Sequence, residues 1–289
     1  SGRSLRDVSG NGHHGTINGA NWGNPGIAST SYDNTPKGSF PTGGNALSFN
    51  GNNKVTLSEI NNTSKYFTIS AWVYPTEINV ENIVASNGLV LALHETKGIC
   101  FEATTTTGYN GVCVSKDKSD LLNKWNHIVG VYENGSYTIY LNDDNQGNKA
   151  HAGNMESSSN DVMYLGLGTN GGDGFNGYLD EVALWDGALS RSEVTAIHNS
   201  KTALDLRSNS GNYSSSNKLK SYWKMEDGSG TTLTDLSGYE NDGTIDGASW
   251  SSPGIASTSY SNTPTTFGNS LSFDGNNDFI SIQPSASLL

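Results

Sequence analysis

The 289-residue chain predicts an all-β fold. Only 15% of its residues are charged and 34% are hydrophobic, while 35 are glycine, with many Ser, Thr and Asn. Such a composition is typical of short strands joined by tight turns, and it leaves little sequence for long helices. The run Phe67–Pro75 alternates with period two, as expected of a strand with one core face. That face carries Phe67, Ile69, Ala71 and Val73, and the other carries Ser70, Trp72 and Tyr74.

Further elements follow from the same reasoning. Alternation predicts strands at Leu89–Leu93 and Trp125–Tyr132, and Asn134-Gly135 is a hairpin turn signal before a strand at Tyr137–Leu141. One short helix is expected after Leu189, because Ser190 and Glu193 have the spacing of a capping box. The helix would be the exception in an otherwise β chain.

The two cysteines predict a disulfide. Cys100 and Cys113 lie in two strand-like runs, placed symmetrically about the turn-rich segment Thr104–Asn110. A hairpin centred there makes them direct cross-strand partners, close enough to be bridged. Two buried free thiols are the alternative.

The end of the chain repeats its beginning. The segment from Asp7 to Trp22 returns at Asp235 to Trp250, and Pro25–Tyr32 recurs letter for letter as Pro253–Tyr260. We therefore predict a first repeat at residues 1–200, a Ser- and Asn-rich linker at 201–218, and the start of a second repeat at 219–289. The run Leu219–Glu226 has no counterpart in the first repeat, so the first domain is expected to lack its first strand.

Five motifs in order resemble a known family. They are Leu47–Gly51, Phe67–Val73, Trp125–Tyr132, Tyr140–Asn142 and Gly177–Trp185, followed by Ala-Leu-Ser. This order is similar to the laminin-G-like branch of the concanavalin A-like lectin/glucanase superfamily, to which pentraxins also belong, over residues 3–200 and again over 219–282. The resemblance implies a jelly roll, in which two antiparallel sheets pack into a sandwich.

The resemblance also implies a Ca²⁺ site. A loop with a carboxylate, an amide and flexible glycines suits a cation that prefers oxygen ligands. Carried over by position, Asp7, Asn11 and Asp180 are the expected ligands, with backbone carbonyls completing the shell. The alternative is that Asp7 only caps its own loop through hydrogen bonds to nearby backbone N–H groups.

Charge and acid spacing exclude several functions. A net charge of −12 disfavours nucleic acid, and no apolar stretch is long enough for membrane insertion. The glucanases of the superfamily carry a Glu-x-Asp-x-x-Glu strand, because acid and nucleophile must flank one bond, and no such run exists here. Asp180 and Glu181 are adjacent, so we expect them on opposite faces of a strand. We therefore predict no catalytic residues.

Two functional classes remain. The first is an extracellular adhesion or structural module whose partners are other copies of itself, joined head to tail. The second is a calcium-dependent carbohydrate-binding module, with Trp72, Tyr74, Tyr132 and Tyr140 offering rings to a sugar. Cross-strand packing of these rings is the alternative. The sequons at Asn61, Asn62, Asn134 and Asn212 matter only if the source glycosylates.

Overall fold

A computed structural model describes residues 44–57, 65–151, 153–155, 162–199, 203–252 and 254–255, together with the backbone of short strands at 4–5, 15–18, 21–23, 270–272 and 279–282. The chain forms two compact units. The larger is Thr35–Ser259, and the smaller joins Ser1–Asn34 with Tyr260–Leu289. Neither unit coincides with a predicted repeat, because each contains segments of both.

The described secondary structure is almost entirely β. The strands of the larger unit are β4 (Ala46–Asn50), β5 (Lys54–Leu57), β6 (Tyr66–Pro75), β7 (Val80–Ala85), β8 (Leu89–His94), β9 (Gly98–Thr105), β10 (Gly108–Val114), β11 (Asn126–Glu133), β12 (Ser136–Leu141), β13 (Asp144–Ala150), β14 (Met163–Leu165), β15 (Asn176–Trp185), β16 (Leu219–Trp223), β17 (Thr232–Leu233), β18 (Gly243–Asp246) and β19 (Ser249–Ser251). The smaller unit contains β1 (Ser4–Leu5), β2 (Gly15–Asn18), β3 (Asn21–Gly23), β20 (Ser270–Ser272) and β21 (Phe279–Ile282). The one described α-helix is α1 (Arg191–His198).

Two antiparallel sheets form the larger unit, which confirms the predicted sandwich. One sheet has the order β10-β9-β8-β7-β14-β5-β18-β17. The other has the order β13-β12-β11-β6-β15-β4-β19, with β16 added beside β15. The main core contains Phe67, Ile69, Ala71 and Val73 on one face of β6, as the alternation predicts.

Helix α1 begins as the sequence predicts. The Ser190 hydroxyl accepts from the Glu193 N–H, and a Glu193 carboxylate oxygen accepts from the Ser190 N–H, which completes the capping box. Burial alone would raise the pKa of Glu193, but hydrogen bonds from Ser215, Ser190 and Ser214 outweigh it and lower the pKa to about 2. The helix is thereby tied to the chain that follows it.

That following chain differs from the predicted linker at 201–218. Its described part, from residue 203 onward, buries Leu204, Leu206 and Tyr213 against the outer face of the second sheet. The Trp185 indole N–H donates to the Tyr213 hydroxyl over 3.0 Å. The polar composition suggested a flexible connection, but three apolar anchors are enough to hold the segment on the sheet.

The first strands of the second repeat are part of the two sheets formed by the first repeat. Strand β16 pairs with β15, β18 pairs with β5, and β19 pairs with β4. The strand expected to be missing from the first domain is therefore supplied by Leu219–Trp223. Residues 219–255 do not belong with the rest of the predicted 219–289 domain, because their hydrogen bonds go to the first repeat.

The smaller unit shows the complementary pairing. Strand β2, from the first repeat, pairs with β21, from the second, and β3 pairs with β20. Strand β1 adds to the free side of β2. Each repeat thus contributes its opening strands to the sheet of the other.

The predicted disulfide is confirmed. Strands β9 and β10 form the expected hairpin, in which Cys100 and Cys113 are register partners, 4.1 Å apart at Cα and joined by a disulfide. Strand β10 is the edge of its sheet. The covalent link therefore fixes an edge strand to its neighbour.

Candidate functional site

A bulge in the central strand β15 holds two buried acids, Asp180 and Glu181. The first half of β15 pairs with β4 and the second half with β16, and the register against β6 shifts between Asp180 and Ala183. Glu181 has a φ of 49°, a left-handed conformation that few non-glycine residues adopt. The strand therefore changes partners at Asp180 and Glu181, and regular alternation stops there.

Asp180 is buried and held by two backbone donors. Its Oδ1 accepts from the Glu181 N–H over 2.8 Å, and its Oδ2 accepts from the Ile255 N–H over 2.9 Å. Burial and then the charge of Glu181 raise the pKa of Asp180 well above its usual range, against the effect of these two hydrogen bonds, and Glu226 raises it further. One of the two donors belongs to the opening of the second repeat.

Glu181 is buried beside Asp180, which differs from the predicted placement on opposite faces. Its Oε2 accepts a short hydrogen bond from the Tyr222 hydroxyl. Burial, followed by the charge of Glu181 and this hydrogen bond, raises the pKa of Tyr222 well above its usual value. The bulge removes the alternation on which the prediction rested, so both carboxylates end in the same buried region.

A third acid, Glu226, converges on the same bulge from the second repeat. Its Oε2 accepts from the Asn45 N–H over 3.2 Å. A Cβ atom on Gly254 would lie 2.2 Å from the Asn45 carbonyl oxygen and 2.4 Å from Asp180 Oδ2, so these two oxygens face the same point of the backbone. Three carboxylates and the Asn45 carbonyl oxygen thus lie where the two repeats meet. We call Asp180, Glu181, Glu226 and Asn45 the acidic junction.

The other predicted calcium ligands, Asp7 and Asn11, lie outside the described residues. The copy of their loop in the second repeat is described, and in it Asp235 corresponds to Asp7. The Asp235 carboxylate accepts from Tyr222 N–H, Ser237 N–H, the Ser237 hydroxyl and Asn241 N–H. In this copy the aspartate closes its own loop and ties it to β16, which is the alternative that the sequence left open for Asp7.

Three of the four predicted sugar-binding rings are packed inside the protein. Trp72 packs against His127 and His198, with ring centroids 4.9 and 5.2 Å away, and the two histidine rings lie 5.5 Å from each other. Tyr132 lies in the core between the sheets, and its hydroxyl donates to the Gly153 carbonyl. Tyr140 is buried in the cluster beneath the helix. Cross-strand packing therefore accounts for these three side chains.

Tyr74 alone of the four is partly exposed, and the structure adds a neighbour that the sequence did not single out. Tyr178 of β15 is its register partner, with ring centroids 5.6 Å apart at an angle of 74°. Trp125 packs against the other side of Tyr74 at 5.7 Å. The alternation of β15 puts Tyr178 on the same sheet face as Tyr74, but only the register of the two strands reveals that they meet.

Two features are absent from the described residues: a group of three metal-ligating side chains and a helix that could span a membrane. Within them, no three His, Cys, Asp or Glu side chains form a group arranged to hold a metal ion, so a cation at the acidic junction would depend on carbonyl oxygens as well. No helix among them combines the length and apolar character needed to cross a membrane.

The family of the chain follows from comparison with known proteins. Residues 49–195, which run from β4 to α1, match a laminin-G-type family model described as the concanavalin A-like lectin/glucanases superfamily. The chain belongs to this superfamily. The matched residues include strands of both sheets and β15 with its bulge, so the fold expected from the five motifs is confirmed.

Individual relatives are distant. A zebrafish (Danio rerio) adhesion G-protein coupled receptor V1 is 26% identical over 171 residues, which are 54% of this chain and 3% of the receptor. A crystal structure of a "putative carbohydrate binding protein" from Bacteroides ovatus has a TM-score of 0.60 at 18% identity, covering 75% of this chain and 62% of that one. A heptameric pentraxin from Limulus polyphemus has a TM-score of 0.44 at 15% identity, covering 53% and 81%. This chain therefore spans only part of the first two proteins.

Proposed function

We propose that the chain is an extracellular, non-catalytic adhesion or structural module of a tandem-repeat surface protein or filament, able to join head to tail with other copies. One observation carries the proposal: β16, β18 and β19 of the second repeat complete the two sheets of the first. Repeats joined in this way transmit load through hydrogen-bonded strands. The disulfide suits an oxidising compartment, and the zebrafish relative is an adhesion receptor by name.

The environment of the buried acids supports a role without catalysis. Asp180 accepts from backbone donors, Glu181 from Tyr222, and Glu193 from the helix cap. A glycosidase needs two carboxyl groups that flank a substrate bond, one to protonate and one to attack or to activate water. The acids named here are instead occupied in holding elements together.

Attachment without turnover is the expected result of a direct test. Beads coated with the chain are applied to surfaces coated with the chain or with glycans, and soluble glycans are incubated with it while reducing ends are measured. Adhesion with no release of reducing ends supports the proposal. Turnover of a glycan that Asp180→Asn or Glu181→Gln abolishes would overturn it, as would the absence of attachment to every surface.

The acidic junction favours a second candidate, a calcium-dependent carbohydrate-binding module. Asp180, Glu226 and the Asn45 carbonyl supply the oxygen ligands that Ca²⁺ prefers, and a cation there would relieve the repulsion between the acids. The ligand set differs from the predicted one in bringing Glu226 to Asp180. The parts assigned to Asp7 and Asn11 remain predictions. Tyr74 and Tyr178 are the rings that would contact a sugar.

Calcium and glycan binding can be tested separately. If the site binds Ca²⁺, the melting temperature falls on adding chelator, and Asp180→Asn or Glu226→Gln removes that difference, whereas the exposed control Glu240→Gln keeps it. A glycan array with and without Ca²⁺, repeated with Tyr74→Ala, tests the sugar. A melting temperature that no variant or chelator changes would exclude the metal, and an array with no signal would exclude the lectin role.

A further inference from the structure

The strand pair β2-β3 of the first repeat corresponds to β18-β19 of the second, and each pair binds a sheet that does not follow it directly in the chain. We call residues 15–23 the first opening and 219–255 the second opening. We call β4 and β5 the first acceptor, and β20 and β21 the second acceptor. The second opening pairs with the first acceptor, and the first opening pairs with the second acceptor. The exchange is reciprocal.

Equivalent residues of the two openings pair with equivalent strands of the two acceptors. Thr244 faces Thr56 and Ile245 faces Val55, while Thr16 faces Ser281 and Ile17 faces Ile280. Val55-Thr56-Leu57 corresponds to Ile280-Ser281-Ile282 when the second repeat is given one extra residue after the shared Gly-Asn-Asn, because Asp278 stands between that motif and Phe279.

The second strand of each opening behaves likewise. Trp250 faces Leu47, and Trp22 faces the corresponding Leu271. The two openings therefore meet the two acceptors through equivalent residues, once the extra residue of the second acceptor is allowed for.

We propose that the opening of a repeat is an exchangeable element that closes the sandwich of a different repeat, and that a second copy of this chain is its partner through the same exchange. The proposal rests on the proposed function and gives it a mechanism. Domain swapping needs an element with the same contacts in closed and exchanged forms, and the matched registers supply that condition. The contacts are strand addition to a sheet edge, with side chains filling the core behind it.

The second opening is held by more than backbone hydrogen bonds. Tyr222, Trp223 and Ile255 are fully buried in the larger unit. Tyr222 donates to Glu181 and Ile255 to Asp180, so the opening also completes the acidic junction. Burial on this scale makes the exchange slow once folding is complete, because all these contacts must be released together.

One difference between the repeats favours exchange over closure within a repeat. Lys54 of the first acceptor forms an ion pair with Asp246 of the second opening, 3.6 Å apart. Closure within each repeat would place Asp246 opposite Phe279 and Asn18 opposite Lys54, and neither pair joins opposite charges. Exposed ion pairs contribute little to stability, so this pair only biases the choice of acceptor, and the buried contacts hold the opening in place.

Paired cysteines can read out which sheet receives the second opening. Ser249 faces Ser48 in the observed pairing, and Ser272 corresponds to Ser48 in the second repeat. The double variant Ser48→Cys/Ser249→Cys is expected to form a crosslink within one chain under mild oxidation. The matched control Ser249→Cys/Ser272→Cys probes closure within the repeat and is expected not to crosslink. Mass spectrometry of the linked peptides identifies each bond.

Exchange between chains is tested with single variants. Isotope-labelled Ser48→Cys and unlabelled Ser249→Cys are unfolded, mixed and refolded at increasing concentration with the native disulfide kept oxidised. We expect covalent dimers linked between positions 48 and 249, in a yield that rises with concentration. Crosslinking of Ser249→Cys/Ser272→Cys in place of Ser48→Cys/Ser249→Cys would overturn the exchange. If the two single variants form no link between positions 48 and 249 of different chains at any concentration, a second copy is excluded as the partner. Neither result bears on attachment to glycans or on turnover.

Discussion

Removing the disulfide should destabilise the larger unit by an amount that follows from the loop it closes. Cys100 and Cys113 are separated by 13 residues, and closing a loop of that size in the unfolded chain corresponds to about 3 kcal/mol in the chain-entropy model. For a unit of this size, each kcal/mol lowers the melting temperature by about 2–4 °C, so Cys100→Ala/Cys113→Ala should melt about 6–12 °C lower. The local effect should fall on β10, where Val112 is the one fully buried side chain.

The assay compares thermal unfolding of the wild type, the double alanine variant and the wild type with reductant, together with amide exchange of residues 108–114. The control replaces another cross-strand pair of the same hairpin, Thr104 and Tyr109, by alanine. That pair has no covalent link, so its loss should be worth less than about 1 kcal/mol. A cysteine variant that melts within 2 °C of the wild type, with β10 equally protected, would refute the reasoning, because a loss of about 3 kcal/mol corresponds to a larger shift in the melting temperature.

Three further predictions concern the core. Trp223→Ala should destabilise the larger unit by about 3–5 kcal/mol in denaturant unfolding, because Trp223 is fully buried and belongs to the sandwich of the first repeat; a loss below 1 kcal/mol would place it outside that core. Burial, followed by the neighbouring His198, holds the pKa of His127 well below 6.5, so near that pH only the unfolded chain takes up the proton. The free energy of unfolding should therefore fall as the pH drops below about 6.5, and His127→Phe should flatten that fall. Burial raises the pKa of Glu81 to about 7, against hydrogen bonds from Asn176 that lower it, so Glu81 loses its proton at a lower pH in the unfolded chain than in the folded one. The free energy of unfolding should therefore decline by at most about 3 kcal/mol from pH 4.5 to 7. Glu81→Gln should remove this pH dependence from the melting curves.

Elements set by neighbouring residues could be predicted from the sequence. The capping box at Ser190 and Glu193, the core face of β6 and the pairing of Cys100 with Cys113 all depend on residues close in sequence, whose spacing fixes their geometry. The family resemblance extended this to the two sheets, because the order of five motifs is more specific than any one of them.

Features that depend on distant contacts could not be predicted. The segment 203–218 appears polar, and only the sheet against which Leu204 and Tyr213 pack gives those side chains a buried site. Glu181 was expected on the opposite face of the strand from Asp180, because no local sequence pattern predicts the bulge that interrupts β15. Glu226 is distant from Asp180 in sequence, and its place at the acidic junction follows only from the docking of β16.

The near-identity of the two repeats made them easy to detect in the sequence, but it also made it impossible to predict which opening pairs with which acceptor. An acceptor edge is recognised by backbone hydrogen bonds and by the alternation of Ile245 and Trp250, which Ile17 and Trp22 reproduce. Sequence similarity therefore fixes the register of an opening strand while leaving its acceptor open. The acceptor that an opening binds is therefore decided by features that differ between the repeats, such as the ion pair of Lys54 with Asp246, and by the distance that the connecting chain can span. When the competing acceptor lies on another molecule, protein concentration also decides which acceptor an opening binds. The same strand pairing that folds one chain then joins two chains.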